Sequence, residues 1–107
     1  MNLIALFFAG LFLCNSLPHL VCGLQGAPFP SPFAKPHGVG DSSPLVNFYW
    51  GFANALLGIF LLAGHPVTVA ANADFFALLA GILTIGTWSA RHFGKVQGEK
   101  RKAAKGS

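Results

Sequence analysis

The sequence predicts an all-α membrane protein of three transmembrane helices packed as a small bundle, with a proline-rich loop between helices 1 and 2. Three observations carry this. Only 9% of the 107 residues are charged and 53% are hydrophobic, against roughly 25% charged in soluble globular domains. Residues 1–34, 42–73 and 75–90 contain no Asp, Glu, Lys or Arg. Six of the seven basic residues, Arg91, Lys95, Lys100, Arg101, Lys102 and Lys105, fall in the last seventeen positions, so charge gathers at one end. The length suits a single membrane domain. The composition excludes a disordered tail, a collagen-like repeat and a disulfide scaffold.

The first span is expected at about 3–24. Window 3–21 holds eleven Leu, Ile, Phe or Val residues. Together they favour insertion by roughly 3 to 7 kcal/mol, against the cost of Asn15, Ser16 and His19. A cleaved signal would want a basic start and a small-x-small cleavage site. Residues 1–13 contain no Lys or Arg and no Ala-x-Ala follows, so the stretch is expected to stay as a span. Pro18 predicts a kink by removing a backbone donor.

Residues 25–44 form the loop. Within 26–44, five prolines and three glycines stand in nineteen positions, so neither helix nor strand should propagate. Phe29 and Phe33 are poor residues for a floating linker, and the loop is expected to fold back as a packed cytoplasmic cap at headgroup level.

The second span, about 45–64, has a clear start. Ser43 can cap the free amides of the first turn and Pro44 stands where its missing N–H costs nothing. His65-Pro66 should end the helix. The third span, about 73–92, is the weakest, because only sixteen uncharged residues separate Asp74 from Arg91, about 24 Å of helix. Asn72 is the expected N-cap, with Asp74 in the first turn at the positive end of the helix dipole. The basic tail, 93–107, reads as a stop-transfer anchor with attraction to anionic lipid. Segment 94–107 has no aromatic side chain to stack on bases, so no nucleic acid is expected as a partner.

Lys and Arg stay on the cytoplasmic side. The C-terminus is therefore expected inside, the loop with Lys35 inside, segment 65–73 outside and the N-terminus outside, in the cell inner (plasma) membrane.

Polar and small residues then select candidate sites. In the first span Asn15, His19 and Cys22 share one face at i, i+4, i+7 spacing. Asn15 and His19 are expected to hydrogen-bond neighbouring helices. His19 is the residue the chain would use for any chemistry, because its unperturbed pKa lies near 6.5. In the second span Asn47, Gly51, Asn54 and Gly58 repeat at heptad spacing, a stripe on which backbones can approach and amides bond across helices. Ala73, Ala77, Gly81 and Thr84 of the third span should answer it. Leu at Gly51 or Gly58 is expected to damage the bundle more than loss of Asn54, since membrane hydrogen bonds average only about 0.6 kcal/mol.

Catalytic and metal chemistry find little support. Cys14 and Cys22 stand about 12 Å apart along a helix and cannot bridge within it. His19, His37, His65 and His92 with these cysteines show no metal-ligand spacing. No Ser-His-Asp grouping, phosphate loop or carboxylate pair stands out, and Asp41 and Asp74 are expected on opposite sides. No catalytic, metal or cofactor-binding residue is assigned, and no cofactor is expected.

The segments NSLPHLVCGLQG (15–26), PFPSPFAKP (28–36) and GDSSPLVNFYWGFAN (40–54) resemble a group of small, functionally uncharacterised bacterial integral membrane proteins. That group carries an Asn-Ser-x-Pro-His segment, a Pro-Phe-x-x-Pro-Phe loop and a Ser-Ser-Pro-x-x-Asn…Trp-Gly helix start. The resemblance implies a bacterial membrane location and brings no activity. Small multidrug exporters, of comparable length, have four spans with a glutamate in the first; this first span has no acidic residue. The expected function is non-enzymatic, helix-helix association in the bilayer as a homo-oligomer or membrane-complex subunit. The alternative is a small-molecule carrier or channel component with a polar cavity lined by Asn15, His19, Asn47 and Asn54.

Overall fold

The first helix starts where an Asn side chain can accept from a free amide and stops where a glycine can turn left-handed. In the computed structural model, which describes residues 2–106, α1 runs Leu3–Leu24. Asn2 Oδ1 accepts from the Ala5 amide at 3.0 Å. At the other end Gly26 takes φ +72°, with its amide bonded to the Gly23 carbonyl and the Ala27 amide to the Cys22 carbonyl. This is the Schellman pattern, in which the left-handed position favours glycine. Pro18 lies inside a helix that continues unbroken to Leu24.

Helix α2, Pro44–Gly64, begins as its sequence predicts, with Ser43 Oγ accepting from the Val46 amide at 3.2 Å. It ends at His65, whose amide returns to Leu61 and Leu62 before Pro66. Helix α3, Ala73–Gly106, is capped by Asn72, whose Oδ1 accepts from Phe75 at 2.8 Å. All three helices are long and apolar enough to cross a membrane, and they pack in contact.

Two expectations are corrected. Helix 3 does not stop near residue 92 with a separate tail at 93–107; it continues to Gly106. Segment 93–105 contains no proline and is rich in Lys, Glu, Gln, Arg and Ala, all good helix formers. Nor is the loop wholly irregular: β1 (Phe29–Pro30) and β2 (Asp41–Ser42) form a minimal antiparallel ladder pairing Phe29 with Ser42 and Pro30 with Asp41.

The helices lie side by side in the order α2, α1, α3. Helix α1 packs along both others, which make at most marginal contact with each other. The α1–α2 pair is antiparallel: Gly58 lies against Leu13 and Ala9, Gly51 against Leu20 and Ser16, and Gly23 against Pro44 and Phe48. The contacts 9, 13, 16, 20, 23 repeat every 3.5 residues, the seam period of left-handed supercoils. The α1–α3 pair is parallel and closer still. Gly10 sits on the Leu78 carbonyl and Gly81 on the Phe7 carbonyl, a reciprocal backbone approach without intervening side chains, as small residues permit in membrane helices. Gly81 therefore answers α1, not the α2 stripe, and Thr84 is exposed with its hydroxyl bonded to the Ala80 carbonyl.

The loop folds onto the ends of the helices. Pro30 and Ser31 are buried, and the Ser31 and Ser42 hydroxyls are hydrogen-bonded to each other at 2.5 Å. One face of the α3 extension forms its outer wall: His92 Nε2 donates to the Gly38 carbonyl at 2.7 Å, Phe93 meets Phe29 at 4.7 Å, Val96 is buried, and Lys100 pairs with Asp41 at 2.8 Å. This docking face explains why the helix persists past Arg91. It also puts the loop and the basic extension at the same end of the molecule. Asp74 stands at the other end, in the first turn of α3.

Candidate functional site

Four polar residues from the two spans meet in pairs. Asn15 Nδ2 donates to Asn54 Oδ1 at 3.0 Å, and Asn54 Nδ2 donates to the Trp50 carbonyl at 2.8 Å. Nearer the loop, His19 Nδ1 meets Asn47 Oδ1 at 2.7 Å. Asn47 Nδ2 faces three carbonyls, Phe29 at 2.9 Å and Ser42 and Ser43 at 3.1 Å. Carbonyls only accept, so these contacts fix the Asn47 amide with its nitrogen toward the loop and its oxygen toward His19.

That orientation determines the tautomer of His19. An amide oxygen cannot donate, so Nδ1 carries the proton and Nε2 of the neutral ring keeps a lone pair. His19 is 3% exposed, and Nε2 has no hydrogen-bond partner among the described residues. Asn15 Oδ1 is likewise left without one. Both residues line a cavity of about 120 Å³ enclosed by Pro30, Ser31, Pro32 and Gly38 of the loop, Trp50 of α2, and Trp88 and Phe93 of α3.

The cavity walls are aromatic and mutually braced. His19 is edge-on to Phe29 at 5.5 Å and to Trp50 at 6.5 Å, Phe33 is edge-on to Trp50 at 5.2 Å, and Trp88 stacks on His92 at 4.6 Å and 12°. Offset and edge-on ring contacts of this kind add about 0.5–1.5 kcal/mol each beyond buried area. Outside the cavity, an apolar groove of about 540 Å³ runs over Phe33, Val46, Tyr49, Trp50 and Ala53. Trp50 lines both.

Of the residues singled out from sequence, Asn15 and His19 line the cavity. Asn47 and Asn54 do not: at 0% and 1% exposure they stand behind it, their amides consumed in positioning. Gly51 and Gly58 belong to the α1–α2 seam. Cys14 and Cys22 are free thiols, and among the described residues no group of three or more His, Cys, Asp or Glu gathers as metal ligands would. Sequence reasoning missed Trp50, Trp88, Phe93 and Gly38 as cavity walls, and Gly10 and Gly23 as packing points. Aromatic residues at the loop-side ends of spans 2 and 3 were the available signal.

Fold and site together define an all-helical protein whose three helices are long and apolar enough to cross a membrane, with a small cavity under a loop at one end that the polar side chains of Asn15 and His19 reach. Comparison with known protein families, curated proteins and solved structures finds no match.

Proposed function

We propose that this chain is a non-enzymatic membrane protein that binds a small molecule in the cavity under its loop, as a carrier or as the binding component of a larger membrane assembly. The observation that carries the reading is the lone pair of His19 Nε2, oriented by Asn47 and left without a protein partner on the cavity lining. In this reading His19 acts as an acceptor for a ligand hydrogen bond, held in one tautomer as ligand-binding histidines generally are by the bond at their other nitrogen. Native mass spectrometry of protein released from detergent is expected to show a bound species on the native chain and none on His19→Leu of matched helicity. Identical spectra would overturn the reading.

A second reading, lateral association as a homo-oligomer or complex subunit, draws support from the single-layer order of the helices. Most of α3 is uncovered, with 6% of its span window buried against 28% for α1. The α2 stripe does not serve this reading, since Gly51 and Gly58 already pack on α1. Cross-linking in the membrane that yields only monomer would remove it.

We place the protein in a bacterial inner membrane, N-terminus outside, with loop and C-terminal extension in the cytoplasm. The common end occupied by Lys35, Lys95 and Lys100 supports this through the positive-inside rule. Lys35 is exposed, so a cysteine there, in a background lacking Cys14 and Cys22, is expected to resist an impermeant maleimide in intact cells and react after lysis. Labelling in intact cells would reverse the orientation.

A further inference from the structure

We propose that the ligand is an amphiphile: an uncharged, hydroxyl-bearing head of about glycerol size in the cavity, and an acyl chain in the groove over Phe33, Val46, Tyr49, Trp50 and Ala53. This deepens the small-molecule reading and rests on it. The cavity and the groove share Trp50, and Phe33 of the groove follows Pro32 of the cavity wall. A recess holding two unpaired acceptors, Asn15 Oδ1 and His19 Nε2, joined at one side chain to an apolar channel fits a molecule with a small hydroxyl-bearing end and an apolar tail. Phe33 and Tyr49, 63% and 61% exposed, keep the groove open on its outer side. Together with Trp50 they are aromatic residues of the type that sits at the membrane-water boundary, where a lipid head and the start of its chain lie.

The head is specified by what the cavity offers. His19 Nε2 and Asn15 Oδ1 both accept, so the ligand must donate, and hydroxyl groups donate without bringing charge. A phosphate would need Lys, Arg or a cluster of donors; the lining is Asn15, His19, Ser31 and apolar or aromatic residues, and the Ser31 hydroxyl is already shared with Ser42. The walls Trp50, Trp88 and Phe93 could receive a quaternary ammonium by cation–π attraction. However, that cation would sit without a carboxylate on the lining and beneath a helix carrying Arg91, Lys95, Lys100 and Arg101, in a chain of net charge +4. Size agrees with a small head: an apolar cavity of about 150 Å³ admits benzene, and this one is about 120 Å³.

The test uses the full chain in vesicles of phosphatidylcholine and reads tryptophan quenching by bromine on the acyl chain. Four brominated probes carry the same dibromostearoyl chain: monoacylglycerol, its di-O-methyl ether, phosphatidylglycerol and phosphatidylcholine. Every probe quenches in proportion to its mole fraction as bulk lipid. The monoacylglycerol is expected to add a saturable component, and the ether, which has lost both donors, to need about a hundredfold more probe to reach it, about tenfold for each hydrogen bond. In folded His19→Leu, where Asn15 Oδ1 alone still accepts, the preference is expected to shrink to about tenfold. Equal saturation by ether and monoacylglycerol, stronger saturation by phosphatidylcholine or phosphatidylglycerol, or an undiminished preference in folded His19→Leu would each overturn the proposal. Failure here alongside a His19-dependent species in mass spectrometry removes the amphiphile and leaves the small-molecule reading standing; failure of both removes that reading too.

Discussion

Gly81→Ala is expected to lower the stability of the helix assembly by at least about 3 kcal/mol, above the usual cost of an added methyl in a packed core. The reason is the identity of the atoms in the way. A methyl at residue 81 would run into the Phe7 carbonyl oxygen and lie 2.9 Å from the Leu11 amide nitrogen. Both are backbone atoms of α1, so no rotamer change relieves the clash, and α3 must withdraw along its length. Gly10→Ala should behave alike, since it meets the Leu78 carbonyl. Gly58→Ala should cost much less, because its nearest neighbours are Leu13 side-chain atoms at 2.5 and 2.7 Å, which can turn away. Gly51→Ala falls between, against Leu20 Cγ and the Leu20 amide, both at 2.8 Å. Denaturant titration in detergent, followed by helicity, checks the ranking; a larger loss at Gly58 than at Gly81 would refute it.

Asn47→Ala is expected to detach the loop, at a cost of about 3 kcal/mol. This one side chain supplies hydrogens to the Phe29, Ser42 and Ser43 carbonyls and an acceptor to His19. Each buried group left unpaired costs about 1–3 kcal/mol. Hydrogen exchange should accelerate at Phe33 and Gly38, whose amides are bonded to Ser31 inside the loop. Asn47→Asp separates the two roles. It keeps an acceptor for His19 and replaces the donating nitrogen with an oxygen that faces three carbonyls, so it is expected to be as damaging as alanine. An aspartate variant with native loop protection would show that donation to the loop is not what holds it. Asn54→Leu, which forfeits bonds only to Asn15 and the Trp50 carbonyl, should cost closer to the membrane average of about 0.6 kcal/mol.

Helix termini were legible wherever a single residue decides them. Ser43, Asn72 and the His65-Pro66 stop each work through one local hydrogen bond or one steric clash, and the first two helices fall within a residue of their expected bounds. The end of α3 was not legible, because a membrane span ends where charge begins whereas a helix ends only where its backbone bonds fail. Residues 93–105 satisfy helical propensity, and what they dock on, the face containing Gly38, Phe29 and Asp41, is assembled from a distant part of the chain. The polar residues Asn15, His19, Asn47 and Asn54 could be identified by type, yet not their partners. Pairing depends on the register of α1 against α2, which no spacing within either helix specifies. The packing direction of the α2 stripe was open for the same reason: glycines announce a close approach and not which helix approaches. The aromatic walls stayed hidden because Trp50, Trp88 and Phe93 come from different elements and converge only in the folded layer.

The central position of α1 bears on how the protein is made. Synthesis proceeds from the N-terminal end, so α1 is made before either helix that packs on it. Each later span then finds its full docking surface already in place, α2 on the Ala9–Gly23 seam and α3 on Gly10, and neither waits for the other. The two interfaces are nearly independent, and damage to one need not spread to the other, as in linear arrays whose units touch only their neighbours. The loop is the exception. It is walled by Trp88 and Phe93 of α3, so the cavity around His19 is completed only once the third helix has docked. Until then the imidazole, the Asn15 amide and the indole of Trp50 lack their outer wall, so damage to the α3 docking face is felt at the cavity as well as at the helix interface.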